Sequence, residues 1–163
     1  MTIAIRRAVC EDATAIASIY RPFVTDSWVS FELDPPDAGD IAQRIADFGI
    51  SHAWLAAEIG GVLAGYAYAS PHRTRAAYAS SCDVAVYVDP QFARRGVGRA
   101  LYGALLPMLA AQGLHAAFAG IALPNPGSIG LHEACGFTPV GVYREVGWKL
   151  GAWRDVGWWQ RLL

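Results

Sequence analysis

One stretch of the chain decides the reading of the fold: Val86-Tyr87-Val88-Asp89-Pro90-Gln91-Phe92-Ala93-Arg94-Arg95-Gly96-Val97-Gly98-Arg99-Ala100-Leu101. A strand-like run stops at Asp89-Pro90. A turn follows, and Gly96 and Gly98 open a segment whose Val97, Leu101, Leu105, Met108 and Leu109 repeat with helical spacing. The first amides of a helix have no internal partner, and the helix dipole favours an anion beside them. Glycines let a bulky anion approach the backbone, and Arg94, Arg95 and Arg99 add positive charge. The segment therefore reads as a phosphate or pyrophosphate site. Two familiar phosphate loops are excluded. No Lys-Ser/Thr follows the second glycine, as a Walker A loop requires, and Leu101 stands where a dinucleotide fingerprint needs its third glycine.

Working outward, Ile3–Ala8 reads as a strand and Glu11–Tyr20 as a helix ended or bent by Arg21-Pro22. An irregular stretch, Val24–Pro36, holds Trp28 and Phe31. Asp37 caps a second helix carrying Ile41, Ile45 and Phe48. Gly60-Gly61 joins two strands, Ala53–Ile59 and Val62–Ala69. A polar loop, Ser70–Ser80, precedes the strand Asp83–Val88. The helix from Arg95 to about Gln112 contains Pro107, which should kink it. Ala116–Leu123 is a strand, Pro126–Ala134 a short helix, and the tail Thr138–Leu163 two strands around Gly147–Gly157. The order β-α-α-β-β-β-α-β-α-β-β, with no linker or repeat, predicts one α/β domain over residues 1–163 with a mixed sheet.

Composition narrows the function classes. Hydrophobic residues make up 54% of the 163 and charged residues 17%, against about 25% charged in ordinary domains. Disorder is excluded, since it needs low hydrophobicity and high charge. A net charge of −1 leaves no electrostatic footprint for nucleic acid. No apolar run approaches the ~20 residues of a membrane span. The N-terminal residues lack the order of a signal peptide, so the cytoplasm is expected. Cys10, Cys82 and Cys135 form no C-x-x-C pair and read as buried packing thiols; no metal is expected. The apolar surplus, with Trp148, Trp153, Trp158 and Trp159 crowded in the tail, points to a covered surface beyond the core.

The segment Ala93–Gly98 resembles the acetyl-CoA loop Gln/Arg-x-x-Gly-x-Gly/Ala of the GNAT superfamily of N-acetyltransferases, with Ala93 departing at the first position. Asn125-Pro126-Gly127-Ser128-Ile129-Gly130-Leu131-His132-Glu133 through Gly136-Phe137 is similar to the Asn-x-x-Ser-x-x-Leu-His-Glu-x-x-Gly-Phe of its phosphinothricin and methionine sulfoximine acetyltransferases. Ser30-Phe31-Glu32 before the double proline, and the tail from Gly141 to Gln160, resemble the same group. The resemblance implies a mostly antiparallel, twisted sheet of about seven strands flanked by about four helices. Acetyl-CoA would be the co-substrate. Its pantetheine arm would pair with backbone at Val86, Tyr87 and Val88, as an added strand does. Its pyrophosphate would rest on amides across Arg94, Arg95, Gly96, Val97, Gly98 and Arg99, with Asn125 and Ser128 at the pantetheine end.

For catalysis the resemblance implies a base at Asp83, where the family usually has glutamate. An amine must lose a proton before it attacks. Aspartate is one methylene shorter, so a water relay fits better than direct contact; the other reading is a strand-end carboxylate in a hydrogen bond or ion pair. His132 would supply a proton or hydrogen bond to the leaving thiolate, or be a satisfied half-buried residue. His52, His72 and His115 match no catalytic position and read as structural or solvated. Arg75-Ala76-Ala77-Tyr78 matches a substrate-holding segment of the group. Arg75, Tyr78, Arg73 and Phe31 are the candidate substrate contacts, since a guanidinium fork suits a carboxylate or phosphinate. The expected activity is acetylation of a small amino acid analogue by direct attack, in a homodimer built through the tail. The alternatives are a peptide N-terminal or lysine acetyltransferase, and a catalytically weak acetyl-CoA-binding regulatory domain.

Overall fold

The computed structural model describes residues 1–163. Seven strands form one sheet: β1 (Ile3–Arg7), β2 (Trp54–Ile59), β3 (Val62–Pro71), β4 (Ser81–Val88), β5 (Ala116–Ala122), β6 (Thr138–Lys149) and β7 (Ala152–Leu162). Their order across the sheet is β1-β2-β3-β4-β5-β7-β6, and every neighbouring pair is antiparallel except β4 with β5. Four helices flank it: α1 (Ala13–Thr25), α2 (Ala38–Phe48), α3 (Val97–Ala111) and α4 (Pro126–Ala134).

Strand alternation builds two cores on opposite faces. Leu55 and Ala57 of β2, Ala67 and Ala69 of β3, and Cys82 and Val84 of β4 join the cluster that meets Leu101, Leu105 and Leu109 of α3. Trp54, Ala56 and Tyr66 point the other way, into a cluster with Ile16, Ile19 and Val24 of α1 and Ile41 and Ile45 of α2. Truncating one of the fully buried leucines of α3 to alanine removes about 2–5 kcal/mol of such packing. Asp37 caps α2 by accepting from the Asp40 amide at 2.9 Å.

Several boundaries differ from the sequence reading. Pro22 does not end α1; the helix runs on to Thr25 and the Asp26 amide bonds the Pro22 carbonyl. A proline removes one donor, and the buried Tyr20 and Val24 hold the helix through it. The tail strands turn at Leu150-Gly151, where both residues have positive φ. Strand β3 reaches Pro71, so part of the expected polar loop is sheet. Cys10 is exposed rather than buried; Cys82 is buried and Cys135 half-buried. Tryptophans 148 and 153 are 57% and 58% exposed, whereas Trp159 is buried.

Candidate active site

The site begins where the sheet comes apart. β4 pairs with β3 along its length, Cys82–Val88 against Gly65–Pro71, but with β5 only at Ser81–Asp83. Beyond Asp83 the two parallel strands diverge, which leaves the β5-facing backbone groups of Val84–Val88 without a ladder partner. Unpaired strand groups are a template for another extended chain. The opening is a slot lined by Val84, Ala85, Val86, Tyr87 and Ala119–Ala122, with Asn125, Ser128 and His132 at its α4 side.

At the far end of β4 lies the start of α3. Arg94 and Gly96 both have positive φ, 63° and 82°, and Gly96 is the residue preceding the helix. A side chain at Gly96 would meet nothing within 4 Å, so glycine is there for its backbone conformation. Gly98 has a different role: a Cβ there would lie 2.8 Å from Leu131 Cδ2, so its bareness lets α4 pack on α3. Arg94, Arg95 and Arg99 are exposed around these amides. An extended polar chain ending in a bulky anion fits a slot and helix N-terminus arranged this way.

On the α1/α2 face the slot opens into a cavity of about 700 Å³. Asp83, Ala85 and Tyr87 enter it from β4, Tyr68 and Ser70 from β3, Gly120 and Ala122 from β5, and Trp158 from β7. The segment between α1 and α2 closes one side. There Tyr20 donates to Glu32 at 2.5 Å and shares a 2.6 Å bond with Ser30, Arg44 grips Glu32 at 2.5 and 3.1 Å, and Lys149 donates to the Glu32 carbonyl. Burial pushes the Glu32 carboxyl up, but the bonds from Arg44 and Tyr20 outweigh it and hold it below its ordinary value. Burial raises the Tyr68 phenol to about 12, so it stays neutral.

Asp83 is bonded to His72, with Nδ1 2.5 Å from Oδ1. Burial raises its carboxyl above the usual range, opposed by the His72 bond and by the charges of His72 and Arg73. Of the two readings of His72, structural or solvated, the structure has it bonded: its side chain is 13% exposed and grips the candidate base. The pairing follows from register, because β3 places Ser70 opposite Asp83 and carries His72 two residues on.

His132 is buried, and both ring nitrogens are engaged. Nδ1 lies 2.8 Å from the Ser128 carbonyl, which makes it the protonated nitrogen, and Nε2 accepts from the buried Tyr102 hydroxyl at 2.8 Å. Burial lowers its pKa against the pull of that carbonyl, favouring the neutral ring. Asn125 Oδ1 caps α4 through the Ser128 amide at 3.1 Å.

Among the expected substrate residues, Phe31 lines the cavity. Arg73, Arg75 and Tyr78 do not; they are exposed on the segment after β3, with Arg73 bonded to the His72 carbonyl and the Tyr78 ring 5.9 Å from that of His72. Sequence reasoning missed His72, Glu32 and Arg44, which sit on separate elements and meet only on folding. Glu32 falls within the Ser30-Phe31-Glu32 motif, but its partner Arg44 carries no signal beyond its place on an amphipathic helix.

A family model described as acetyltransferase (GNAT) family matches residues 14–137. The chain is 39% identical over 159 residues to a phosphinothricin N-acetyltransferase of Streptomyces viridochromogenes, covering 98% of this chain and 87% of the relative. Among solved structures it is similar to a GNAT superfamily phosphinothricin acetyltransferase from Sinorhizobium meliloti in complex with acetyl-CoA. The TM-score is 0.95 and the identity 34%, over 100% of this chain and 89% of that one. A ribosomal-protein-alanine N-acetyltransferase from Brucella melitensis superposes with TM-score 0.95 at 30% identity, over 98% and 99% of the two chains.

Proposed function

The chain belongs to the GNAT family of acetyltransferases, and from that premise we propose that it acetylates the amine of a small, anionic amino acid analogue such as phosphinothricin or methionine sulfoximine. The observation that carries this reading is the meeting of slot and cavity along Val84–Tyr87, with Asp83 on the cavity side. Acetyl-CoA is the co-substrate and supplies an electrophilic thioester carbonyl and a thiol leaving group. Backbone at Val86, Tyr87 and Val88 would hold the pantetheine arm, and the amides and arginines from Arg94 to Arg99 its phosphates. An amide near Val86 would face the carbonyl oxygen.

Asp83 takes the amine proton, directly or through one water, so that the amine attacks within the ternary complex. His132 holds Ser128 and Tyr102 in place at the thiol end of the slot. Arg44 lines the cavity as half of an ion pair with Glu32. Arg73, Arg75 and Tyr78 remain the candidates for holding the substrate's anionic group at the rim. The likeness to a ribosomal-protein-alanine acetyltransferase keeps a peptide amine as the second reading. We further assign the protein to the cytoplasm, consistent with three free cysteines, and to a homodimer.

Thiol release from acetyl-CoA tests the reading. The amines are phosphinothricin, methionine sulfoximine, a polyamine and an alanine-terminated peptide. Turnover with the first two is expected. Turnover with the peptide alone would overturn the proposal, and acetyl-CoA binding without any turnover would favour a regulatory domain.

A further inference from the structure

We propose that His72 is a positioning residue for the reaction: its Nδ1–H holds Asp83 Oδ1 and keeps this short carboxylate ionised, leaving Oδ2 for the proton of the substrate amine. The inference rests on the function proposed above and adds a residue to its machinery.

The geometry is specific. An ionised carboxylate only accepts hydrogen bonds, so with Asp83 ionised the 2.5 Å contact takes Nδ1–H as its donor. Asp83 Oδ2 has no protein partner, and Asp83 lines the cavity while His72 does not. The imidazole lines an adjoining hollow of about 130 Å³ with Phe118, Val140, Tyr143 and Trp158, the last two shared with the cavity. It is clamped there. Its ring stacks on Phe118 with centroids 4.5 Å apart and planes 20° apart, and the Trp158 ring stands edge-on at 6.2 Å. A ring fixed on one face and one edge leaves its nitrogen little freedom to leave Asp83.

Physical need and geometry agree. Asp83 sits at a strand position where the side chain is partly withdrawn from water, which disfavours its charge. A base in that setting works at neutral pH only if something favours the carboxylate, and a hydrogen bond to an ionised group is among the stronger kinds available. The other titratable groups facing the pair are Arg73 on the same segment, Tyr78 beside His72, Tyr68 from β3, Cys82 next along β4 and Tyr143 from β6. Of these, none hydrogen-bonds Asp83. The acetylation R–NH3⁺ + acetyl-CoA → R–NH–COCH3 + CoA–SH + H⁺ removes two protons from nitrogen. One ends on sulfur and the other leaves through the base, so the readiness of Asp83 to accept a proton and release it to solvent enters every turnover.

The test uses the full-length protein with His72→Phe, which keeps a ring against Phe118 but removes the donor, and His72→Asn, which restores an N–H in nearly the same place. Two quantities are read: the titration of the Asp83 carboxyl carbon by NMR, and the pH profile of thiol release with phosphinothricin. In His72→Phe the Asp83 titration and the ascending limb of kcat/KM are expected to move up by about one pH unit, tenfold in the ionised fraction. The KM for acetyl-CoA stays within about twofold. His72→Asn recovers at least half of the shift. If the phenylalanine variant does not fold, His72→Leu gives the same contrast. An Asp83 titration that stays in place without the donor, or an asparagine variant as impaired as the phenylalanine one, would overturn the proposal. Failure of the parent protein to turn over any amine would instead remove the proposed function, and the NMR titration would still decide the pairing.

Discussion

Asp83 shows how one residue sets function against stability. Its folded pKa is raised, chiefly by burial. A group raised on folding contributes stability below its unfolded pKa, and that contribution is lost as pH rises through the folded value. At neutral pH the ionised carboxylate therefore costs the fold. Asp83→Asn removes the charge and keeps an oxygen to accept from His72. It is expected to lower kcat by about 10²–10⁴ while raising the thermal midpoint by about 2 °C. Paired calorimetry and thiol-release assays check this, and a midpoint that falls would contradict the account. The position of Asp83 was legible through the family resemblance, which implies a carboxylate on the strand before the glycine turn. Its bond to His72 was not, because His72 falls in the stretch read as a polar loop, Ser70–Ser80, and the contact depends on how β3 and β4 are registered.

At the scale of elements, the site depends on how three segments close on one another. The stretch between α1 and α2 is fastened by Glu32 to Tyr20, Arg44 and Lys149, and Trp28 adds a 3.2 Å bond to the Pro124 carbonyl. Phe31 then lies against Gly147 of β6, where a Cβ would come 2.3 Å from Phe31 Cε2. Gly147→Ala must displace that ring. The ring is partly exposed and able to move, so the expected loss is in substrate binding: an amine KM raised severalfold, with the KM for acetyl-CoA held, since Phe31 lines the cavity and not the slot. Steady-state kinetics in both substrates measure it, and equal changes in the two constants would count against this packing. The elements themselves were mostly readable, α2 from its capping aspartate and α3 from its apolar stripe. The continuation of α1 past Pro22 was not, because tertiary burial of Tyr20 and Val24 overrides a local break.

For the whole molecule, the unresolved demand is on the β6 edge of the sheet. Val140, Val142, Val146 and Trp148 are all more than 40% exposed along this strand, and Trp153 stands beside Trp148 across the turn with ring centroids 5.1 Å apart. A long apolar edge strand invites a partner. Sedimentation at micromolar concentration is expected to give a dimer, and Trp148→Ser with Trp153→Ser a folded monomer. A monomeric parent would leave this edge unexplained. The 54% apolar composition had already required cover beyond an ordinary core. The order of elements and the glycine turn at Arg94–Arg99 were readable from the chain alone, because local periodicity and turn chemistry are properties of neighbouring residues; the place of the candidate base came from the family resemblance. Where β4 leaves β5, that Arg44 rather than Arg75 lines the cavity, and that His72 holds Asp83 emerge only on folding, because each depends on groups on different elements whose distance is fixed by strand register and packing.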